Sequence, residues 1–371
     1  MYSFRIVPTI RQYEKTTDFC TDFKIGKGDL LFISESAYET YFKGHTDGAV
    51  VIHYRNYGSG EPTDLMVEGI SREIKDLRYE RVIAVGGGTI LDVAKLFALK
   101  NLSPVCDLYE HKLEIRKTKK LVLVPTTCGT GSEVTNISIL ELTSKNTKLG
   151  LASDELYADD AVLIPELLSN LPMRFFATSS IDALIHSIES FTSPKASDFT
   201  RMYSMQAMKM ILNGYQYLVE HGPDSRKQIL PDLLTASTYA GIAFGNAGCA
   251  AVHAMSYPLG AAYHVPHGEA NYAMFTGVYK TYKRLKPEGS IALLDAYLAK
   301  ILGCGTDTVY EELEKLLNHM LPKKPLHEYG MTRDDIDTFT HTVMTKQGRL
   351  MANNYTVLDE GTVRGIYREL Y

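Results

Sequence analysis

Short apolar runs alternate with helical patterns in the first half of the chain. Four runs are almost entirely apolar, as in strands buried on both faces of a parallel sheet, and they cover residues 30–34, 49–54, 81–85 and 121–125. Helical periodicity occupies residues 62–77 and 90–99. The pattern predicts an α/β domain over residues 1–176, with a doubly wound, Rossmann-like parallel sheet.

The strand pattern ends near residue 172, and helical periodicity replaces it. Helices are predicted over residues 176–191, 198–220, 230–244, 292–302, 309–320 and 333–343. Breaks are predicted at Pro194, Gly222, Pro223, Pro258, Pro266, Pro287 and Gly330. The second domain, residues 177–371, is therefore expected to be all-helical, and a ligand is expected in the cleft between the two domains.

Composition and charge narrow the class of function. The 371 residues carry a net charge of −5 with scattered basic residues, which argues against a nucleic-acid partner. The amino-terminal segment lacks the apolar core of a signal peptide, so a cytoplasmic location is expected. Residues 233–268 contain no charged side chain other than histidine. Their histidines and prolines would be costly in lipid, which favours the buried wall of a site over a membrane span.

Two glycine-rich runs each follow a predicted strand. Gly86, Gly87 and Gly88 precede a helix that opens with Thr89, and residues 125–135 read PTTCGTGSEVT. Glycines there let backbone amides approach a phosphate, although a tight strand-to-helix turn alone would also use them. Two such turns at neighbouring strand ends favour a dinucleotide. Glu35 ends another strand and favours NAD over NADP, the alternative being a solvated loop carboxylate.

A carboxylate and several histidines form a candidate metal site. Asp182 and His186 are four residues apart, hence on one helical face, with Glu189 three further on. His253 and His267 fall in the segment without other charges. Any one of them could be an ordinary histidine, but buried imidazoles without partners would be costly. The five cysteines are far apart with no CxxC pair and are expected to be reduced thiols, so histidine and carboxylate should hold the metal.

Together these motifs resemble the iron-containing (group III) alcohol dehydrogenase family over nearly the whole chain. The corresponding segments are Gly86–Thr89 followed by Asp92, Pro125–Thr135, Asp182–Glu189 and His253–Asn271. The resemblance implies NAD and a divalent metal, with Fe²⁺ expected and Zn²⁺ as the alternative. It implies metal ligation by Asp182, His186, His253 and His267. Cofactor contacts are implied at Glu35, Gly86, Gly87, Gly88, Thr89, Asp92, Thr126, Thr127, Thr130 and Lys148.

One position departs from the family pattern. Many members carry a second histidine four residues after the third ligand, where this chain has Tyr257. Tyr257 or His264 is therefore the candidate proton relay. Within the family, the runs at residues 245–272, 323–331 and 351–356 resemble members that interconvert 4-hydroxybutyrate and succinate semialdehyde, and this resemblance implies these substrates. Arg349 or Lys195 could then bind the substrate carboxylate.

Several alternatives stay open. Another small primary alcohol, a diol or glycerol could be the substrate on the same scaffold. A dehydroquinate synthase-like enzyme or an inactive nucleotide-binding module would share parts of the pattern. The resemblance also implies a homodimer, with a small molecule as the other partner and no membrane.

Overall fold

The computed structural model describes residues 3–58, 60, 62–145 and 147–371. The chain divides into two compact units, one spanning Ile6–Leu171 and the other comprising Pro172–Tyr371 with the amino-terminal stretch that ends at Arg5. The sequence puts the boundary near residue 176. The division lies slightly earlier because a long helix already begins at Met173.

A six-stranded parallel sheet organises the first unit. The strands of this unit are β1 (Thr9–Gln12), β2 (Asp29–Ile33), β3 (Val50–His53), β4 (Arg81–Gly86), β5 (Lys120–Pro125), β6 (Ile137–Leu142), β7 (Thr147–Ala152) and β8 (Asp160–Leu163). The sheet order is β1-β8-β5-β4-β2-β3, and β6 and β7 form a separate antiparallel pair. The predicted α/β fold is thus confirmed, and the four predicted strands are β2, β3, β4 and β5.

The other strands of this unit escaped the sequence pattern for local reasons. All four residues of β1 are exposed, so its sequence, TIRQ, lacks an apolar run. β8 has only four residues. In β6 the burial alternates between intermediate and buried positions, as expected for a strand with one covered face.

Helices flank the sheet. They are α1 (Thr16–Phe23), α2 (Glu35–Ala37), α3 (Asp64–Glu73), α4 (Gly88–Leu96) and α5 (Val105–Tyr109). A π-helical turn covers Tyr38–Phe42, and 3-10 turns cover Tyr54–Asn56, Ser132–Val134, Thr143–Lys145, Asp154–Leu156 and Pro165–Leu168. The predicted helix at 62–77 is the shorter α3, which begins at Asp64 because the Thr63 hydroxyl accepts a hydrogen bond from the Met66 amide.

The second unit is helical. Its helices are α6 (Met173–Thr192), α7 (Asp198–His221), α8 (Leu230–Ala247), α9 (Ala251–Tyr263), α10 (His267–Leu285), α11 (Ser290–Leu302), α12 (Val309–Met320), α13 (Arg333–Lys346), α14 (Gly348–Met351) and α15 (Glu360–Leu370). Two 3-10 turns cover Pro223–Gln228 and Leu326–Tyr329. Residues 172–371 are all described and contain no strand, which confirms the predicted all-helical half.

Helix α9 shows that the break predicted at Pro258 is wrong. Pro258 lies inside α9, in a helix whose surrounding residues are largely buried. The break predicted at Pro266 is confirmed, because this residue lies between α9 and α10, and its φ of −54° suits the start of a helix. The stretch without charges is therefore built into α8, α9 and the first residues of α10. Within the described ranges, no helix is both long enough and apolar enough to span a bilayer.

Candidate active site

Helix α6 supplies the first two candidate metal ligands. Asp182 and His186 lie one turn apart, with relative exposures of 2% and 5%. The Nδ1 atom of His186 is 3.9 Å from Oδ2 of Asp182. The His186 ring stacks on Phe244 with a centroid distance of 4.1 Å, which fixes its plane.

Helices α9 and α10 bring the other two candidates to the same carboxylate. The Nε2 atoms of His253 and His267 lie 3.6 Å and 3.8 Å from Oδ1 of Asp182. The donor atoms of these three residues all lie within 4.8 Å of one another. His253 is buried, whereas the His267 side chain is 39% exposed. The four side chains predicted as ligands thus meet at one place, with one side reachable from solvent.

The cluster has the properties that a divalent cation requires. The Nε2 atom of His253 is buried and has no hydrogen-bond partner among the described residues. Burial opposes ionisation of Asp182, but the neighbouring His186 and His267 outweigh it and hold the pKa of this carboxyl below its usual range. One carboxylate and three imidazoles are donors that suit Fe²⁺ or Zn²⁺. The residues present therefore fit a resident divalent metal.

A buried carboxylate orients His253. Oε2 of Glu189 lies 2.5 Å from Nδ1 of His253, and Oε1 accepts a hydrogen bond of 2.7 Å from the Val252 amide. When Nδ1 carries the proton of the neutral imidazole, Nε2 has a free electron pair that is directed at the cluster. The sequence showed Glu189 only as the next residue on the helical face, and its full burial reveals the orienting role.

An amide network orients Asp182. Nδ2 of Asn271 donates to Oδ1 of Asp182 at 2.7 Å, and Oδ1 of Asn271 accepts from the Ser256 hydroxyl at 2.5 Å. Gly268 allows this approach of α10 to α6, because a Cβ atom there would lie 2.1 Å from the carbonyl oxygen of Thr178. The PHG--N motif therefore positions the site as well as contributing His267.

The structure adds a cysteine to the surroundings of the cluster. Cys249 is buried, and its sulfur lies within 4.8 Å of donor nitrogens of His186 and His253. It is a free thiol, as predicted. However, the donor set around the cluster is not limited to histidine and carboxylate. The sequence did not indicate this placement, because Cys249 is far from the other cysteines along the chain.

The two candidate proton relays differ in position. The Tyr257 ring lies 6.0 Å from the His267 ring between centroids, and its side chain is half-buried. His264 ends α9 with a φ of 53° and is exposed. Among the described residues, no hydrogen bond or ring contact joins the His264 side chain to the cluster. Tyr257 is thus the better-placed candidate.

The two glycine-rich turns of the first unit start side by side. Gly86 at the end of β4 pairs in register with Pro125 at the end of β5, and the Thr126 amide donates to the Gly86 carbonyl at 3.0 Å. A Cβ atom added to Gly88 would lie 2.8 Å from Cγ2 of Thr130. The two turns therefore pack against each other, and helix α4 begins at Gly88, directing its first amides outward from the sheet edge.

Asp92 ties the two turns together. Oδ1 of Asp92 accepts from the Ser132 hydroxyl at 2.6 Å, and Oδ2 accepts from the Ile139 amide at 3.1 Å. The fully buried Lys95 also donates to Ser132, at 2.8 Å. These hydrogen bonds position the two turns, and a direct contact of Asp92 with the cofactor stays a prediction.

The remaining predicted cofactor residues lie on several elements of the first unit. Glu35 is exposed and begins α2 directly after β2, the strand next to β4. Thr89, Thr126, Thr127 and Thr130 are all half-buried in or beside the turns. Lys148 is half-buried in β7, opposite Glu141 of β6.

Comparisons with known proteins cover the whole chain. Residues 14–165 match the family described as iron-containing alcohol dehydrogenase, and residues 176–371 match the carboxyl-terminal part of the Fe-containing alcohol dehydrogenase family. The 4-hydroxybutyrate dehydrogenase of Clostridium kluyveri is 47% identical over 371 residues, which is 100% of both chains. The long-chain-alcohol dehydrogenase 1 of Geobacillus thermodenitrificans is 32% identical over 308 residues, covering 80% of this chain and 76% of its own.

Solved structures show the same fold. An alcohol dehydrogenase from Oenococcus oeni superposes with a TM-score of 0.88 at 20% identity, covering 100% of both chains. The sulfoacetaldehyde reductase of Bifidobacterium kashiwanohense, solved in complex with NAD⁺, gives a TM-score of 0.86 at 22% identity, covering 100% of this chain and 98% of its own.

Proposed function

Because the chain belongs to the iron-containing alcohol dehydrogenase family, we propose that it interconverts 4-hydroxybutyrate and succinate semialdehyde with NAD as the redox partner. The balanced reaction is 4-hydroxybutyrate + NAD⁺ ⇌ succinate semialdehyde + NADH + H⁺. The substrate assignment is supported by full-length identity of 47% to a 4-hydroxybutyrate dehydrogenase. The observation that carries the metal-dependent chemistry is the convergence of three imidazoles on the buried Asp182.

We infer that Asp182, His186, His253 and His267 hold a divalent ion, Fe²⁺ or alternatively Zn²⁺. When bound, this ion supplies Lewis-acid polarisation of the substrate oxygen, and the nicotinamide supplies or accepts the hydride. Glu189 accepts a hydrogen bond from Nδ1 of His253, which leaves Nε2 for the ion, and Asn271 holds the carboxylate of Asp182 in place. These two neighbours keep the donor atoms in position before the ion arrives.

The two glycine turns are proposed to bind the pyrophosphate of NAD. Their adjacent starts at Gly86 and Pro125 and the free amides at the start of α4 support this role. The exposed carboxylate of Glu35 would accept a hydrogen bond from the adenine ribose and repel a 2′-phosphate. Lys148 is proposed as a further cofactor contact.

Tyr257 is proposed to move the proton between the substrate oxygen and solvent through its Oη atom. Its ring contact with His267 and its half-buried position support this role. His264 is the weaker candidate because of its exposure at the end of α9.

Arg349 is the favoured partner for the substrate carboxylate. It is exposed in α14, and its positive charge is one of the smaller effects that lower the pKa of Tyr257 against the stronger upward effect of burial. Lys195 is exposed just beyond the end of α6. An Arg349→Ala variant should raise KM for succinate semialdehyde by about tenfold or more and leave KM for the uncharged butanal unchanged. Equal effects on both aldehydes would argue against this role.

Two experiments test the function itself. Purified enzyme should oxidise NADH faster with succinate semialdehyde than with acetaldehyde, glyceraldehyde or butanal; no such preference would favour a simple alcohol, diol or glycerol enzyme. A His267→Ala variant should lose bound metal and activity together. Retained metal with unchanged turnover would mean that the ligand assignment is wrong. The expected homodimer stays a prediction, which sedimentation or light scattering would test.

A further inference from the structure

Cys249 extends the donor set of the metal cluster. The proposal rests on the proposed metal site and deepens it: we propose that the Cys249 sulfur ligates the divalent ion beside His186 and His253, giving a site with mixed sulfur, nitrogen and oxygen donors. The observation behind it is that two groups of donor atoms share His253. One contains His186, Cys249 and His253, the other Asp182, His253 and His267, and within each group all atoms lie within 4.8 Å of one another.

Within each group, these separations are compatible with one ion. Sulfur at about 2.3 Å and nitrogen at about 2.0 Å from a metal can lie up to roughly 4.3 Å apart. Donor atoms within 4.8 Å therefore need movements of only a few tenths of an ångström. His253 belongs to both groups, and its Nε2 atom is buried without a hydrogen-bond partner among the described residues. A metal at that atom would be within reach of the thiol.

The position of Cys249 is held firmly by its surroundings. Its carbonyl oxygen accepts a hydrogen bond of 3.0 Å from Nδ2 of Asn353, and the Ser193 hydroxyl donates to the Ala247 carbonyl at 2.7 Å. Gly248, with a φ of 79°, makes the turn, and a Cβ atom there would lie 2.5 Å from Nδ2 of Asn353. The connection between α8 and α9 is thus clamped so that the cysteine side chain stays in the buried cluster.

Ligation by Cys249 would add a second anionic group directly on the ion. Asp182 is the only carboxylate among the four candidate ligands, and the buried carboxylate of Glu189 contacts the far nitrogen of His253, Nδ1. Ligation by Cys249 replaces the S–H bond with a sulfur–metal bond and releases one proton to solvent. The two anionic ligands then neutralise the ion. Five protein donors still leave one place of an octahedral ion for substrate.

A thiolate ligand would change which ions the site prefers. Soft sulfur ligands favour zinc and cadmium over hard ions such as manganese. Cys249→Ser should therefore weaken Cd²⁺ binding by about tenfold or more while changing Mn²⁺ binding much less. Equal losses for both ions would contradict a direct sulfur–metal bond.

The decisive test is the absorption spectrum of the cobalt-substituted protein. Metal-free wild type, Cys249→Ser and the matched control Cys304→Ser, which alters a thiol of the same unit outside the cluster, would each receive one equivalent of Co²⁺. Wild type and Cys304→Ser should show near-ultraviolet sulfur-to-cobalt charge transfer, and Cys249→Ser should lack it while still binding cobalt. Cys249→Ala serves the same purpose if the serine variant fails to fold.

Other outcomes overturn the inference or its basis. Cobalt bound to wild type without the sulfur band would mean that the thiol only hydrogen-bonds to the histidines. A band that persists in Cys249→Ser would assign it to another sulfur. If wild type binds no cobalt at these residues, the proposed metal site itself fails, which is a separate result from a bound but sulfur-free ion.

Discussion

Replacing Glu189 with glutamine tests the orientation of the metal ligands. In the native protein both oxygens of this fully buried carboxylate accept hydrogen bonds, from the Val252 amide at 2.7 Å and from Nδ1 of His253 at 2.5 Å. Glutamine keeps one accepting oxygen and adds a donating amide. If the oxygen stays with Val252, the amide faces Nδ1 of His253, and the imidazole proton must move to Nε2. The nitrogen directed at the cluster can then no longer bind a metal.

The magnitude follows from this geometry. Leaving a buried donor or acceptor unpaired costs about 1–3 kcal/mol, and loss of a carboxylate that orients a ligating histidine weakens metal binding by about 10–100-fold. Since about 1.4 kcal/mol corresponds to tenfold, the two ranges agree. Glu189→Gln should therefore bind metal roughly 10–100-fold more weakly and lose activity that excess metal restores in part.

The assay is competition for metal against a chelator of known affinity, with metal content measured on the same samples. Asp295→Asn is the matched control, because Asp295 is also a buried carboxylate of the helical unit, bonded to the Tyr310 hydroxyl at 2.6 Å outside the metal cluster. It should lower stability without changing metal affinity. A folded Glu189→Gln protein with unchanged metal affinity would refute the orienting role.

Three further changes test other parts of the molecule. Gly88→Ala puts a Cβ atom 2.8 Å from Cγ2 of Thr130, so the affinity for NADH, measured by fluorescence titration, should fall about tenfold. An unchanged affinity would mean that this turn does not bind the cofactor. Tyr257→Phe should lower kcat by about tenfold or more at unchanged metal content, whereas His264→Ala should leave kcat nearly constant, and the reverse pattern would reassign the relay. Burial opposes ionisation of Glu166, but hydrogen bonds from the first residue of α1 and from the preceding lysine hold its pKa below the ordinary value. That stabilisation is present above the pKa of the unfolded state and is lost as the pH falls through the pKa of the folded state. Urea unfolding should therefore show that Glu166→Gln is about 1 kcal/mol less stable than wild type near neutral pH, and the difference should vanish in acid. A difference in stability that does not depend on pH would contradict the reasoning.

The parallel sheet could be predicted because its central strands are buried on both faces. β2 and β4 therefore appear as continuous apolar runs, whereas β1 is exposed along its length and leaves no such signal. Helix α9 was missed because Pro258 is normally a breaker. Tertiary packing overrides that preference here, since most residues of α9 are buried.

The convergence of the four candidate metal ligands could be predicted from their types, their spacing and the family resemblance, but the contacts of their neighbours could not. Asp182 and His186 share a helical face by periodicity alone. Cys249 and Glu189 reach the cluster only through the packing of α6, α8 and α9, and no local pattern records that contact. Likewise, no local pattern indicates the hydrogen bonds that join Asp92 to Ser132 and to the Ile139 amide.

The most direct test of the account is anaerobic NADH consumption with succinate semialdehyde before chelation, after chelation and after addition of Fe²⁺ or Zn²⁺. The account predicts that chelation abolishes turnover and that metal restores it. It also predicts that succinate semialdehyde remains preferred over butanal in the restored enzyme. Turnover that survives complete metal removal, or metal-loaded enzyme that does not oxidise NADH with this aldehyde, would contradict it.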